Sequence, residues 1–218
     1  MQHQIDGVIA QTVRLRMSKG ETAWASKGAI VSLEDGIDWR LKVPGGIGGA
    51  VRRGFSGAGL ALSFLESDRD GAAVVLGGEH PGKIERWELA EDGPVITTRG
   101  SFIAGIGDVV IDVTVARRAG AAFFVFLQKL SGRGTVFIHA SGDFLERRLE
   151  GGESLRVSTG NLAAFGAGVD YTIRGVGGCR KVFFGGEGLF MTQLTGPGRV
   201  LLHSLKRATA TRRQPPGQ

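Results

Sequence analysis

Residues 20–41 lie over residues 152–173 without a gap, and this internal repetition constrains the fold more than any other feature of the chain. Gly20, Glu21, Ser26, Gly28, Gly36 and Asp38 fall on Gly152, Glu153, Ser158, Gly160, Gly168 and Asp170. Ile30, Ile37 and Trp39 meet Leu162, Val169 and Tyr171. A middle copy sits between them: Gly100–Ala104 matches Gly160–Ala164, and Ile111, Asp112 and Val113 match Val169, Asp170 and Tyr171. A second block also recurs, with Leu130–Val136 on Leu194–Val200 and a weaker first version at Gly71–Val74. Lys83–Arg86 echoes Phe144–Arg147. The repeating unit is therefore roughly 60–70 residues, longer than ordinary solenoid periods, and holds several elements.

Inside a copy the apolar period is two. Val109–Val115 and Leu155–Val157 alternate, whereas Phe123–Leu127 and Val200–Leu202 read as strands buried on both faces. No stretch carries a 3.6-residue apolar stripe over three turns. Glycine supplies 37 of the 218 residues, about twice the usual share, without a collagen period. Short strands joined by tight turns are the economical explanation. The chain is predicted to be all-β: three diverged β-sandwich-like repeats packed about a pseudo-threefold axis. They occupy about 5–65, 66–135 and 136–205 of a single domain, 1–205. One such unit is too small to bury its own apolar face, and three can cover one another.

Cys179 is the only cysteine, which fits a reducing compartment and rules out an internal disulfide. The first residues lack the apolar core of a signal peptide, and no apolar run reaches about 18 residues, so a soluble cytoplasmic protein is expected. The formal charge is +6, but the segment 206–218 carries Lys206, Arg207, Arg212 and Arg213 without an acid, leaving +2 for the rest. That segment is expected to be a disordered basic tail.

Candidate chemistry is sparse. His139 and His203 stand five residues past Gly134 and Gly198, so a metal could sit between them, although the HxH and carboxylate of a cupin site are missing. Ordinary half-buried strand positions are the favoured reading of both. Asp38, Asp112 and Asp170 recur across the copies and could form a carboxylate cluster; capping of turns or strand ends explains the repetition better. Glu21, Glu153 and Glu187 each follow a glycine and read as turn residues. Nothing beside Cys179 supplies a base, and Gly45–Gly49 and Gly54–Gly59 lack the lysine of a phosphate loop. The cation pairs Arg52–Arg53, Arg117–Arg118, Arg147–Arg148 and Arg180–Lys181 invite RNA, but Tyr171 is the single tyrosine and most phenylalanines lie in core-like runs.

Phe184–Phe190 reads FGGEGLF and leads into LTGPGRV at Leu194–Val200. These runs, with Gly186, Glu187, Gly188, Gly196 and Gly198 as their structural motif, resemble the glycine-rich signature of the altered inheritance of mitochondria protein 24 family. Gly20–Glu21 followed by Gly28–Val31, and Gly151–Ser154 followed by Gly160, are similar to the family too, so the likeness spans about residues 5 to 205. Arg53–Gly59 departs from it, because the first copy lacks its own Gly-Glu pair there. The resemblance implies a fold similar to the subunit of the tryptophan RNA-binding attenuation protein, triplicated in one chain, and does not by itself imply a catalytic activity. The expectation is a non-catalytic scaffold or binding protein without a cofactor, taking a protein or membrane-proximal partner. An RNA-binding module using the arginine pairs ranks second and a metal-dependent cupin-like enzyme third.

Overall fold

The computed structural model describes residues 1–44, 61–117, 124–175 and 190–207. Among them it has nineteen strands and a single 3₁₀ turn, Thr159–Asn161, with no α-helix. After β1 (Gln2–Asp6) come β2 (Thr12–Met17), β3 (Thr22–Ala25), β4 (Ile30–Leu33), β5 (Ile37–Lys42), β6 (Leu62–Ser67) and β7 (Ala72–Gly77). The next six are β8 (Gly82–Glu88), β9 (Val95–Thr98), β10 (Phe102–Ile106), β11 (Val109–Arg117), β12 (Phe124–Gly132) and β13 (Thr135–Ser141). The last six are β14 (Phe144–Leu149), β15 (Ser154–Ser158), β16 (Leu162–Gly166), β17 (Asp170–Gly175), β18 (Phe190–Thr195) and β19 (Gly198–His203).

Each of these three sets of six is wired identically. The sixth strand pairs with the first and third, as β7 does with β2 and β4, β13 with β8 and β10, and β19 with β14 and β16. The fifth pairs with the second and fourth, as β6, β12 and β18 do. Every third strand carries the same irregularity, at Val31, Ile103 and Ala163, where the register slips by one residue. A bulge that recurs at one place is part of the fold rather than a local accident. The pairing unit therefore starts at the strand its last member closes on. It runs 12–77, 82–141 and 144–203, so the units start 7, 16 and 8 residues later than the sequence boundaries.

Units are joined by pairing the second strand of one with the third strand of the next. β3 meets β10 and β9 meets β16, which builds the six-stranded sheets β5-β6-β3-β10-β13-β8 and β11-β12-β9-β16-β19-β14. The four-stranded sheet β1-β2-β7-β4 and the three-stranded sheet β15-β18-β17 are left at the ends. A cyclic arrangement needs a third junction, β15 to β4. Among the described residues β4 pairs only with β7, and β15 only with β18.

Three apolar clusters fill the spaces between these four sheets. Val13, Leu15, Leu65, Leu76, Ile103 and Phe137 form the first. Trp87, Val95, Phe102, Leu130, Ile138 and Leu201 form the second, and Leu149, Val157, Phe165, Leu194 and Val200 the third. β10 sends Phe102 to the second cluster and Ile103, Ala104 and Ile106 to the first, and β13 alternates with Val136 and Ile138 in the second and Phe137 in the first, so β10 is buried along its whole length. The Leu-x-Gly-x-Gly block has its reason here too. A side chain at Gly134 would collide with the Ile106 carbonyl, and one at Gly196 with the Glu150 carbonyl. Glu21 and Glu153 close their turns as matching caps, accepting the backbone N–H of Ser18 (2.7 Å) and of Glu150 (3.0 Å).

Candidate functional site

The two histidines that the sequence placed equivalently do come together, and they are sealed rather than half-buried. His139 opposes Ile84 and His203 opposes Phe144 in matching ladders, and each ring is 1% exposed. The first unit has Gly77 at this position, so the cluster has two histidines and no third. Beside His139 lies Arg207, which the sequence assigned to a disordered tail. Its guanidinium donates to His139 Nδ1 (2.7 Å), to Ser141 Oγ (2.9 Å) and to the Arg99 carbonyl (3.4 Å). Residues 208–218 lie outside the described residues, as do Arg52, Arg53, Arg118, Cys179, Arg180, Lys181 and the motif residues Gly186, Glu187 and Gly188.

Hydrogen bonding fixes both tautomers. Because Arg207 can only donate, His139 Nδ1 accepts and the proton sits on Nε2, which is buried against Gly78. His203 Nδ1 accepts the Ser141 backbone N–H (3.1 Å), so its Nε2 carries the proton and faces Ser101 Oγ at 3.3 Å. Burial first and the Arg207 charge second push His139 down to about 4. Burial, then Arg207, then His139 push His203 down to about 3. Burial also pulls Arg207 below its ordinary value.

Ser101 and His203 superficially suggest a nucleophile and its base. The geometry argues against it: His203 Nε2 already holds the proton it would have to accept. Ser101 is fully buried, and its hydroxyl is shared with Thr98 Oγ1 at 3.0 Å. The cluster is a structural joint between the second and third units, crossed by the bonds of Ser141 and Ser101 to His203, while Asn161 Nδ2, donating to the His203 carbonyl (3.0 Å), braces the third unit's side of it.

The aspartates are dispersed. Asp38, Asp112 and Asp170 stand on β5, β11 and β17, which are edge strands of three different sheets. Ladder register also corrects the alignment of the middle copy. Asp38 and Asp170 precede the residues facing Leu65 and Leu194, and the matching position before the partner of Leu130 is Val110, two residues ahead of Asp112. Asp38 is spent on Arg40 (2.6 Å). No group of three or more His, Cys, Asp and Glu among the described residues is placed to hold a metal ion.

A cleft of about 490 Å³ opens beside Trp87 and Arg199. Arg199 lies over the Trp87 ring at 5.0 Å and ion-pairs with Glu146 (2.9 Å) and Glu85, so the cation is already neutralised. Of the arginine pairs, Arg147 is engaged with Glu153 (3.5 Å). No described helix is long and apolar enough to cross a membrane.

Sequence reasoning missed Arg207, Ser101 and Ser141. Their only signal was positional, since Ser101 and Ser141 flank runs whose register turns them inward.

Comparison with known proteins agrees with the architecture. The family model for mitochondrial biogenesis AIM24 matches residues 3–205. No curated protein matches. Among solved structures, the X-ray crystal structure of a protein from Streptococcus pyogenes superposes with a TM-score of 0.79 at 21% identity, covering 94% of this chain and 94% of that one. Identity that low speaks for the fold alone.

Proposed function

The chain belongs to the mitochondrial biogenesis AIM24 family, and from that premise we propose that it is a non-catalytic β scaffold that binds a protein or membrane-proximal partner through exposed sheet edges. One contrast carries the reading. Among the described residues His139, His203 and Ser101 are sealed, with His203 in the wrong tautomer to serve Ser101 as a base, while Trp39 and Leu41 on the edge strand β5 are each 51% exposed. Ile111, the ladder equivalent of Trp39, is 4% exposed. Large apolar side chains held on an unpaired edge are what a docking partner covers.

The test is affinity capture from the native cell with the wild-type chain and with the double variant Trp39→Ser, Leu41→Ser. A partner recovered by the first and depleted about tenfold or more by the second supports the reading. Retention of RNA that falls steeply with salt, or metal-dependent turnover by the purified chain, overturns it.

A further inference from the structure

Each end of the molecule carries one half of a junction that the chain makes twice inside itself. We propose that β4 of one copy pairs antiparallel with β15 of a second copy, so that chains associate head to tail. This extends the scaffold reading and is independent of the Trp39 face.

The interior junctions define the expected contact. In β3–β10, Ala25 opposes Ala104, and in β9–β16, Thr97 opposes Ala164. Ala104, Ala164 and Ser32 are equivalent, since they oppose Phe137, Leu201 and Val75 in their own units. Ala25, Thr97 and Val157 are equivalent likewise, opposing Ser63, Gln128 and Thr192. The intermolecular register is therefore Ser32 on Val157 and Leu33 on Arg156.

Three observations say that these ends are built to be joined. The first is the bulge at Val31. Edge strands are often guarded by bulges, but the same bulge sits in β10 and β16, where the strand pairs on both sides. It is part of the junction and does not block it. The second is side-chain burial. Ile103 and Ala163 at the bulge are 2% and 0% exposed, because each seals the core of the preceding unit, whereas Val31 is 63% exposed. Across the missing joint, Leu155 is half-buried where Ala23 and Val95 are buried. Val31 lacks a core to cover, and Leu155 belongs to a core that lacks a cover. The third is the junction's hydroxyl clasp. Ser26 Oγ donates to the Phe102 carbonyl, and Thr98 Oγ1 donates to the carbonyls of Leu162 (2.7 Å) and Ala163 (3.2 Å). Ser158 places a third hydroxyl at the same point of β15, in reach of the Ile30 carbonyl of the joining copy.

An interior junction benefits from a tether, worth an effective concentration on the order of millimolar. Between chains nothing replaces it, so assembly is concentration-dependent. A contact between two different surfaces closes into a ring or grows as a filament.

The test uses single cysteines in a Cys179→Ser background. Ser32→Cys chains mixed with Val157→Cys chains should form a disulfide-linked species of twice the 23.0 kDa chain mass on mild oxidation, and neither should do so alone. Sedimentation of the wild type should show mass rising in whole-chain steps with concentration. Val31→Arg, a change at an exposed site that leaves folding intact, should abolish those steps. A wild-type chain that stays at 23.0 kDa up to about millimolar concentration, or a double-cysteine chain that closes only on itself, refutes the proposal. A strictly monomeric chain that keeps its Trp39-dependent partner refutes self-association alone and leaves the scaffold reading standing.

Discussion

β10 and β4 are the same strand in different company. Both are third strands, both carry the bulge, and both pair with the last strand of their unit. β10 has β3 on its other side and is buried at every residue; β4 has no strand there among the described residues and buries none fully. Position in a unit therefore sets a strand's shape, while its neighbour sets its energy. Fully burying an Ile or Val side chain contributes about 1.5–3 kcal/mol. Ile103 realises that in the first core, and Val31 forgoes most of it in the isolated chain.

Substitution at the bulge tests this difference most severely. Ile103→Asp places an unpaired charge in the first core and should cost more than about 4 kcal/mol, enough to prevent folding. Val31→Asp should change the denaturant midpoint by under about 0.5 kcal/mol in dilute solution. Comparable losses at the two sites would break the comparison.

A smaller effect separates the junction between the second and third units from the first unit, which has Gly77 in place of the histidine. Each imidazole is harder to protonate folded than unfolded. As pH falls below about 6.5, the unfolded chain therefore takes up protons first. Stability is full above that pH and drains below it, until about pH 4 for His139 and about pH 3 for His203. Each histidine removes about 1.4 kcal/mol per pH unit in this window. Urea midpoints at pH 7 and 5.5 should show the loss, and His139→Gln, His203→Gln should flatten it. Amide exchange at the lower pH should rise first in β13 and β19, and less in β2 and β7, where the half-buried His3 of β1 is also held below its ordinary value by burial.

The finest contrast is between the clasps. Thr98→Val removes a buried hydroxyl bonded to two carbonyls and to the Ser101 hydroxyl and should cost about 1–2 kcal/mol in thermal or chemical unfolding. Ser158→Ala, at the open end, should cost less than about 0.5 kcal/mol at low protein concentration.

The sequence discloses the units because the features that define them are backbone features. Gly20, Gly28 and Gly100 take positive φ at turns, Gly134 and Gly196 admit a close backbone approach, and these demands hold whatever surrounds the unit. Glycine spacing therefore aligned the first and last thirds correctly. Apolar matching was weaker. Asp112 attracted the alignment two residues from Val110, and Lys83 was set against Phe144 although Ile84 is its true equivalent, because outward-facing positions are free to drift. Arg207 escaped altogether. A cation beside a basic segment has no local mark that separates a solvated tail from a residue bonded to His139, far back in the chain. The split of a six-stranded sheet into two end sheets was illegible too, since β4 and β15 have ordinary strand sequences and differ only in what fails to lie beside them.

The parallel bridges Ala10–Gly82 and Gly82–Gly142 mark where each unit begins, one beside the next like treads of a stair. A staircase has no intrinsic last step. Nothing in the wiring of a unit sets the count at three, so gene duplication can lengthen such a protein without inventing a new contact, and fusing two copies in tandem should yield a six-step molecule whose middle riser is β15 against β4.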